Sequence, residues 1–161
     1  MDKLTGKDLQ HLQRCVELAK EALSAGNQPF GSVLVSADGQ VLFEGRNEVV
    51  TADDQTRHPE FEITRWAAAN MIPEEREVAT VYTSGEHCAM CAAAHGWVGL
   101  GRIIYASSTK QLTSWLTKLG VPKPPVRPLS IQEVVPGIEV IGPVPELAEQ
   151  VRELHVRFYA S

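Results

Sequence analysis

The sequence has few cysteines, no run of basic residues and no long apolar segment. Its 161 residues include three cysteines, Cys15, Cys88 and Cys91, a number too small and odd for the disulfide framework of a small secreted protein. No segment reaches the roughly 20 apolar residues of a membrane-spanning helix. The first seven residues also lack the apolar run of a signal sequence. We therefore expect a soluble protein of a reducing compartment, the cytoplasm, with no membrane partner.

Basic residues are also fewer than acidic ones. The chain has 15 Lys and Arg against 20 Asp and Glu, which gives a net charge of −5 at pH 7. A protein that grips a long phosphate backbone is usually basic on at least one face. The charge therefore favours a small, uncharged or weakly charged substrate over RNA or DNA, although a local basic patch remains compatible with an acidic total.

The composition is that of an ordinary globular domain, with 43% hydrophobic and 22% charged residues. The chain shows no internal repeat and no linker that would divide it. Its length suits one domain with a substantial core. We therefore expect a single domain over residues 1–161.

Apolar residues recur at helical and strand periods along the chain. Steps of three and four over residues 9–23 indicate an amphipathic helix, and two short β-rich runs flanking Ala37-Asp38-Gly39 indicate a hairpin. The predicted order is helix, hairpin, helix, strand, helix, strand, helix, strand, helix, with strands at 32–35, 41–43, 78–83, 102–105 and 138–141. This order predicts the α/β class: a three-layer α/β/α sandwich around a mixed five-stranded sheet, largely parallel, with the hairpin as an antiparallel edge.

The residues with the clearest chemistry are His58, Glu60, Cys88 and Cys91. One imidazole and two thiolates are ligands that zinc prefers, and three protein ligands leave the fourth tetrahedral position open, as in catalytic sites; a structural site closes it. Glu60 is not needed as a ligand, so it is predicted to carry protons for a water that zinc activates. Each short motif is weak alone. Together, in this order and each at the start of a predicted helix, they predict a catalytic zinc.

His58-x-Glu60 and Cys88-x-x-Cys91 resemble the H-x-E…P-C-x-x-C signature of zinc nucleobase deaminases. The chain is identified as a member of the cytidine/deoxycytidylate deaminase superfamily, nearest to the branch of bacterial guanine deaminase, fungal cytosine deaminase and tRNA adenosine deaminase. The resemblance covers residues 8–110 and fades beyond them. It implies the cytidine deaminase-like fold, one Zn²⁺ per chain and Glu60 as the proton shuttle.

The resemblance also implies a substrate site. Asn47 matches an asparagine that hydrogen-bonds the base, although asparagine at such a position also stabilises turns through its own backbone. Phe30 and Trp97 are predicted as stacking walls. The alternative for both is a packing role, which for Trp97 includes an interface.

Two positions depart from the resemblance. His87 stands where relatives have a proline before the first cysteine, and we expect it to be an edge residue that hydrogen-bonds outside the site and not a further ligand. Pro59 replaces an Ala or Gly whose backbone N–H donates to an oxygen of the base. Since proline has no N–H, we expect a base with a different donor and acceptor pattern at that edge, or a compensating side chain.

The remaining histidines and the C-terminal aromatic residues carry weaker expectations. His95 is expected to be structural, and His11 and His155, which lie on amphipathic helices, to be at the surface. Phe158 and Tyr159 either cover the pocket as a lid or anchor the last helix.

These residues predict zinc-dependent hydrolytic deamination of a free amino-substituted heterocycle, with release of ammonia. The candidate substrates are guanine, cytosine or isocytosine, an s-triazine and a pterin. The alternative substrates are adenosine in a tRNA anticodon loop and a free nucleoside. A zinc-bearing interaction module without catalysis is a third possibility, and the intact Glu60 counts against it. Because relatives are commonly dimers and residues 92–96 are small, we also expect a homodimer.

Overall fold

A computed structural model describes residues 4–160. Its sheet has five strands: β1 Gly31–Val35, β2 Val41–Arg46, β3 Thr80–Gly85, β4 Ile103–Ser107 and β5 Val140–Ile141. Its helices are α1 Gly6–Ser24, α2 Val49–Ala52, α3 Pro59–Asn70, α4 Pro73–Glu77, α5 Ala89–Val98, α6 Thr109–Lys118, α7 Ile131–Val134 and α8 Pro145–Ala160. Within the described residues, none of these helices has the length and apolar character needed to cross a lipid bilayer.

The sheet is mixed, with the strand order β2-β1-β3-β4-β5. Strand β1 is antiparallel to both of its neighbours, whereas β3, β4 and β5 are mutually parallel. All strands except β1 therefore run in the same direction. Every residue of β1, β3 and β4 is buried, as expected for strands covered on both faces, and the buried residues include hydroxyl side chains such as Ser32 and Thr83.

Helices cover both faces of the sheet and form two apolar clusters. Successive strand residues point to opposite faces, so Val33 and Ile104 lie in the cluster under α1 and α8. Their sequence neighbours Leu34 and Ile103 lie in the cluster under α3 and α5. The predicted three-layer sandwich with a mixed five-stranded sheet is therefore confirmed.

The element boundaries follow local signals closely at the first helix. Thr5 Oγ1 accepts a hydrogen bond from the Asp8 amide at 3.1 Å, and the Asp8 carboxylate accepts one from the Thr5 amide at 2.9 Å. This capping box begins α1 shortly before the amphipathic period of residues 9–23. Gly26, just beyond its end, has φ of +92°, a conformation that glycine adopts without steric cost.

The structure departs from the prediction in the less periodic segments. The short helices α2, α4 and α7 have no counterpart in the prediction, and β5 has only two residues. His155 is not a surface residue: it is 2% exposed and lies between Phe30 and Trp115. Burial lowers the pKa of His155 to about 4. His155 follows Val151 by four residues, so it lies on the buried face of α8, where Phe30 and Trp115 pack against it.

Candidate metal centre and active site

The motif residues meet at the N-termini of α3 and α5. His58 is the N-cap of α3 and Cys88 is the N-cap of α5, and neither side chain caps its own helix. Cys91 lies in the first turn of α5 and is fully buried. The two helices pack side by side on the same face of the sheet, which brings residues from distant parts of the chain together.

The three ligand atoms form a nearly equilateral triangle. His58 Nδ1 lies 3.6 Å from Cys88 Sγ and 3.5 Å from Cys91 Sγ, and the two sulfurs are 3.5 Å apart. Tetrahedral zinc with ordinary bond lengths separates a nitrogen and a sulfur ligand by about 3.6 Å and two sulfur ligands by about 3.8 Å. The donor set and its spacing therefore fit a zinc ion. Among the described residues, no other group of His, Cys, Asp or Glu side chains forms such a cluster.

The two thiols are electrostatically coupled. Their sulfurs are close enough to share one proton, and this contact lowers the pKa of Cys88 to about 4 while it raises the pKa of Cys91. One thiolate is thus already favoured beside a neutral thiol. A cation at the centre of the triangle stabilises both sulfurs as thiolates, the form in which cysteine binds metals.

Glu60 is the second residue of α3, beside the cluster but outside it. Its side chain is 4% exposed, and its Oε1 accepts a hydrogen bond from Ser32 Oγ at 3.2 Å. Burial raises the pKa of Glu60 to about 7. A buried carboxyl with a pKa near neutrality is suited to take up and return a proton.

Asn47 follows β2 and is 1% exposed. The backbone N–H of Asn47 donates to the Phe30 carbonyl oxygen at 3.0 Å, and the side-chain Oδ1 of Asn47 accepts from the backbone N–H of Val49 at 3.0 Å. The turn-stabilising contact weighed from the sequence is therefore present. Among the side-chain hydrogen bonds of residues 4–160, the one made by Asn47 uses Oδ1, and Nδ2 donates none.

The other predicted substrate residues are distributed differently. Phe30 precedes β1 and its ring lies 5.0 Å from that of His155 in an edge-on arrangement. Pro59 is buried at the start of α3, where it packs against Gly45. Trp97 is 89% exposed and lies about 9 Å along the helix axis from Cys91. Trp97 thus contacts little of its own chain.

From the sequence we expected His87 to hydrogen-bond outside the site, and this expectation is wrong. It is 1% exposed, and neither ring nitrogen has a partner within the described residues. Its ring packs edge-on against His95 at 5.4 Å. His95 is structural, as expected: its Nε2 lies 2.7 Å from the Gly101 carbonyl oxygen, to which it donates.

Glu86 is an anchoring residue that the sequence does not reveal. Its two carboxylate oxygens accept hydrogen bonds from the backbone amides of Thr109, at 2.9 Å, and Ile131, at 2.8 Å. Glu86 thereby ties the loop before Cys88 to the first residues of α6 and α7. The capping patterns Ser108-x-x-Gln111 and Ser130-x-x-Glu133 mark the starts of α6 and α7 in the sequence. No local signal connects these helix starts with Glu86.

Comparison with known proteins identifies the family. The model of the cytidine and deoxycytidylate deaminase zinc-binding region matches residues 5–107. The chain belongs to this deaminase family. The probable cytosine deaminase of Schizosaccharomyces pombe is 33% identical over 148 residues, which cover 88% of this chain and 86% of that protein. The guanine deaminase of Bacillus subtilis is 38% identical over 97 residues, 60% of this chain and 62% of that protein.

The deaminase family also has the fold described above. A solved structure of the guanine deaminase from Nitrosomonas europaea superimposes with a TM-score of 0.73 at 18% identity, over 100% of this chain and 88% of that one. The family and the fold predicted from the motif are thus confirmed. Helices α6, α7 and α8 lie beyond the residues that the family model matches.

Proposed function

We propose that the protein is a zinc-dependent aminohydrolase that deaminates a free amino-substituted nucleobase or a related heterocycle and releases ammonia. The observation that carries this proposal is the triangle of His58, Cys88 and Cys91, with separations of 3.5–3.6 Å, beside the buried carboxyl of Glu60. Family membership supports hydrolytic deamination, and the match to the family's zinc-binding region supports zinc as the metal.

The three ligands would hold the metal, and the remaining residues would handle the substrate. Bound zinc supplies an activated water as nucleophile. Glu60 would take up the first proton of the attacking water and pass it to the ring nitrogen next to the amino-bearing carbon, which makes this carbon more electrophilic. As the new C=O bond forms, Glu60 would take the second proton from the hydroxyl now on that carbon and give it to the departing amine, which leaves as ammonia. Asn47 Nδ2 donates to an acceptor on the ring, and the Phe30 ring packs against the face of the base.

We favour free bases as substrates for two reasons, the negative net charge of the protein and the substrates for which its relatives are named. The net charge of −5 disfavours a polyanion such as tRNA, and the two relatives described above are named for cytosine and guanine. Guanine, cytosine, isocytosine, s-triazines and pterins all carry an amino group on an amidine-like carbon. Adenosine in a tRNA anticodon loop, or a free nucleoside, is the alternative substrate.

An ammonia-release screen tests the proposal. Zinc-loaded protein is incubated with amino-purines, amino-pyrimidines, pterins, triazines, cytidine and adenosine, with Glu60→Ala as the blank. We expect release from at least one free base and none from the variant. Release from tRNA alone, together with retention of tRNA in filter binding, would favour the alternative. Stoichiometric zinc without any release would favour a non-catalytic module.

We also propose that the protein acts in the cytoplasm. We further propose that it forms a homodimer in which the α5 helices of the two chains contact each other. Met90, Ala94 and Trp97 follow helical spacing, so they lie on one face of α5, and the most exposed of them is the large apolar Trp97. Light scattering should show a dimer for the wild type, and Trp97→Lys should shift it to the monomer. An unchanged mass for the variant would place the contact elsewhere.

A further inference from the structure

Two buried hydroxyls lie behind Glu60 and have no part in the steps above. Ser32 and Thr83 are both 0% exposed, and they are direct cross-strand partners on β1 and β3. Ser32 Oγ lies 3.2 Å from Glu60 Oε1 and 2.9 Å from Thr83 Oγ1. Thr83 Oγ1 in turn lies 2.9 Å from the Gly85 carbonyl oxygen.

The hydroxyl protons in this chain can be counted. The Gly85 carbonyl oxygen only accepts, so Thr83 donates its one proton there and offers Ser32 an acceptor. Ser32 also has one proton, which it donates either to Glu60 or to Thr83. Ser32 Oγ lies within hydrogen-bond distance of both acceptors, Glu60 Oε1 and Thr83 Oγ1.

The Ser32 hydroxyl is therefore held between Glu60, at 3.2 Å, and Thr83, at 2.9 Å. Among residues 4–160, no other side chain hydrogen-bonds the Glu60 carboxyl. A buried carboxyl with one side-chain partner depends on that partner for its direction, and a partner that is itself fixed by a second hydrogen bond holds the carboxyl more firmly.

We propose that Ser32 and Thr83 are positioning residues for Glu60. Ser32 holds Oε1 and thereby fixes the direction of the carboxyl, and Thr83 gives the Ser32 hydroxyl its second acceptor. The proposal rests on the proposed function, in which Glu60 carries the proton. It predicts that Thr83 acts on catalysis only through Ser32.

Kinetics of four zinc-loaded variants test this pair, with the substrate identified in the ammonia-release screen. Ser32→Ala should lower kcat by about 10- to 100-fold, the effect of one hydrogen bond to a charged group, with KM within about twofold of the wild type. Thr83→Val should lower kcat less. The double variant should equal Ser32→Ala, since the second change removes nothing further. Thr83→Ser, which keeps the hydroxyl, should retain wild-type kcat.

Ser107→Ala is the matched control. Ser107 is a buried hydroxyl on β4 that donates to the Ser84 carbonyl at 2.8 Å, without contact to Glu60. An equal loss of kcat in Ser107→Ala and Ser32→Ala would overturn the proposal, as would independent, multiplying losses in the double variant. If Glu60→Ala itself keeps full activity, the proposed function fails instead.

A crystal structure of zinc-loaded Ser32→Ala gives a readout without turnover. The zinc content should remain one ion per chain, and the Glu60 carboxyl should occupy more than one position. A single carboxyl position identical to that of the wild type would overturn the proposal, even if the screen finds no substrate.

Discussion

Two pairs of helix starts lie close together in this molecule and are used differently. The N-cap residues of α3 and α5 are His58 and Cys88, whose side chains do not cap their helices. The N-cap residues of α6 and α7 are Ser108 and Ser130, each in a complete capping box, and the first amides of these two helices donate to Glu86. An N-cap side chain that satisfies its own helix is not available to a metal. The uncapped pair is therefore open for chemistry, while the capped pair serves as scaffold.

The largest predicted effect is on zinc binding and activity, and it comes from replacing Cys88, the N-cap residue of α5. Cys88→Ser should abolish stoichiometric zinc binding and lower ammonia release by more than about 1,000-fold, because serine is a poor zinc ligand at neutral pH. Metal analysis and the release assay measure both. Cys15→Ala is the matched control: this thiol is fully buried in α1, and its removal should leave the zinc content unchanged. Full zinc content in Cys88→Ser would refute the ligand assignment.

A smaller effect is predicted where the two pairs are joined. Glu86→Gln replaces one acceptor oxygen by a donor, so one amide at the start of α6 or α7 loses its partner. We expect the free energy of unfolding to fall by about 1–3 kcal/mol, measured by urea denaturation. Glu86→Ala removes both acceptors, so its free energy of unfolding should be lower still. Equal midpoints for wild type and both variants would mean that the scaffold does not depend on this carboxylate.

Pro59, the first residue of α3, differs from the first residues of α6 and α7 in having no backbone N–H. Thr109 and Ile131, which begin the capped helices, donate their amides to Glu86, whereas Pro59 has no amide to donate. Pro59→Ala restores one donor beside the cluster, and we expect the ratio of cytosine to isocytosine turnover to change by about tenfold. Pro73→Ala makes the same change at the start of α4 and should leave the ratio as it is. An unchanged ratio in Pro59→Ala would show that this donor is irrelevant.

The smallest effect is predicted for a scaffold cap. Ser108→Ala should cost about 1 kcal/mol of stability, seen as a lower melting temperature, and should leave the zinc content unaltered. Ser108→Asp retains a side-chain acceptor and should stay close to the wild type. A loss of zinc in Ser108→Ala would erase the distinction between the capped and uncapped pairs.

The sequence predicted the parts of this structure that depend on local spacing. The candidate zinc ligands and Glu60 stand out because His58-x-Glu60 and Cys88-x-x-Cys91 each lie within one helical turn, and the meeting of the two motifs follows from the fold class. The α/β class itself follows from helical and strand periods, which are also local. Short elements such as α7 and the two-residue β5 lack enough residues to show a period.

Tertiary structure alone decided which polar groups became partners across distant segments. The packing of His155 between Phe30 and Trp115, and that of His87 against His95, depend on neighbours that no period specifies. The same holds for Glu86, which binds amides of α6 and α7, and for Ser32, which joins Thr83 and Glu60 from two other elements. The physical reason is that a hydrogen bond or a buried contact is fixed by distance in space, whereas local sequence patterns determine only which face of an element turns inward.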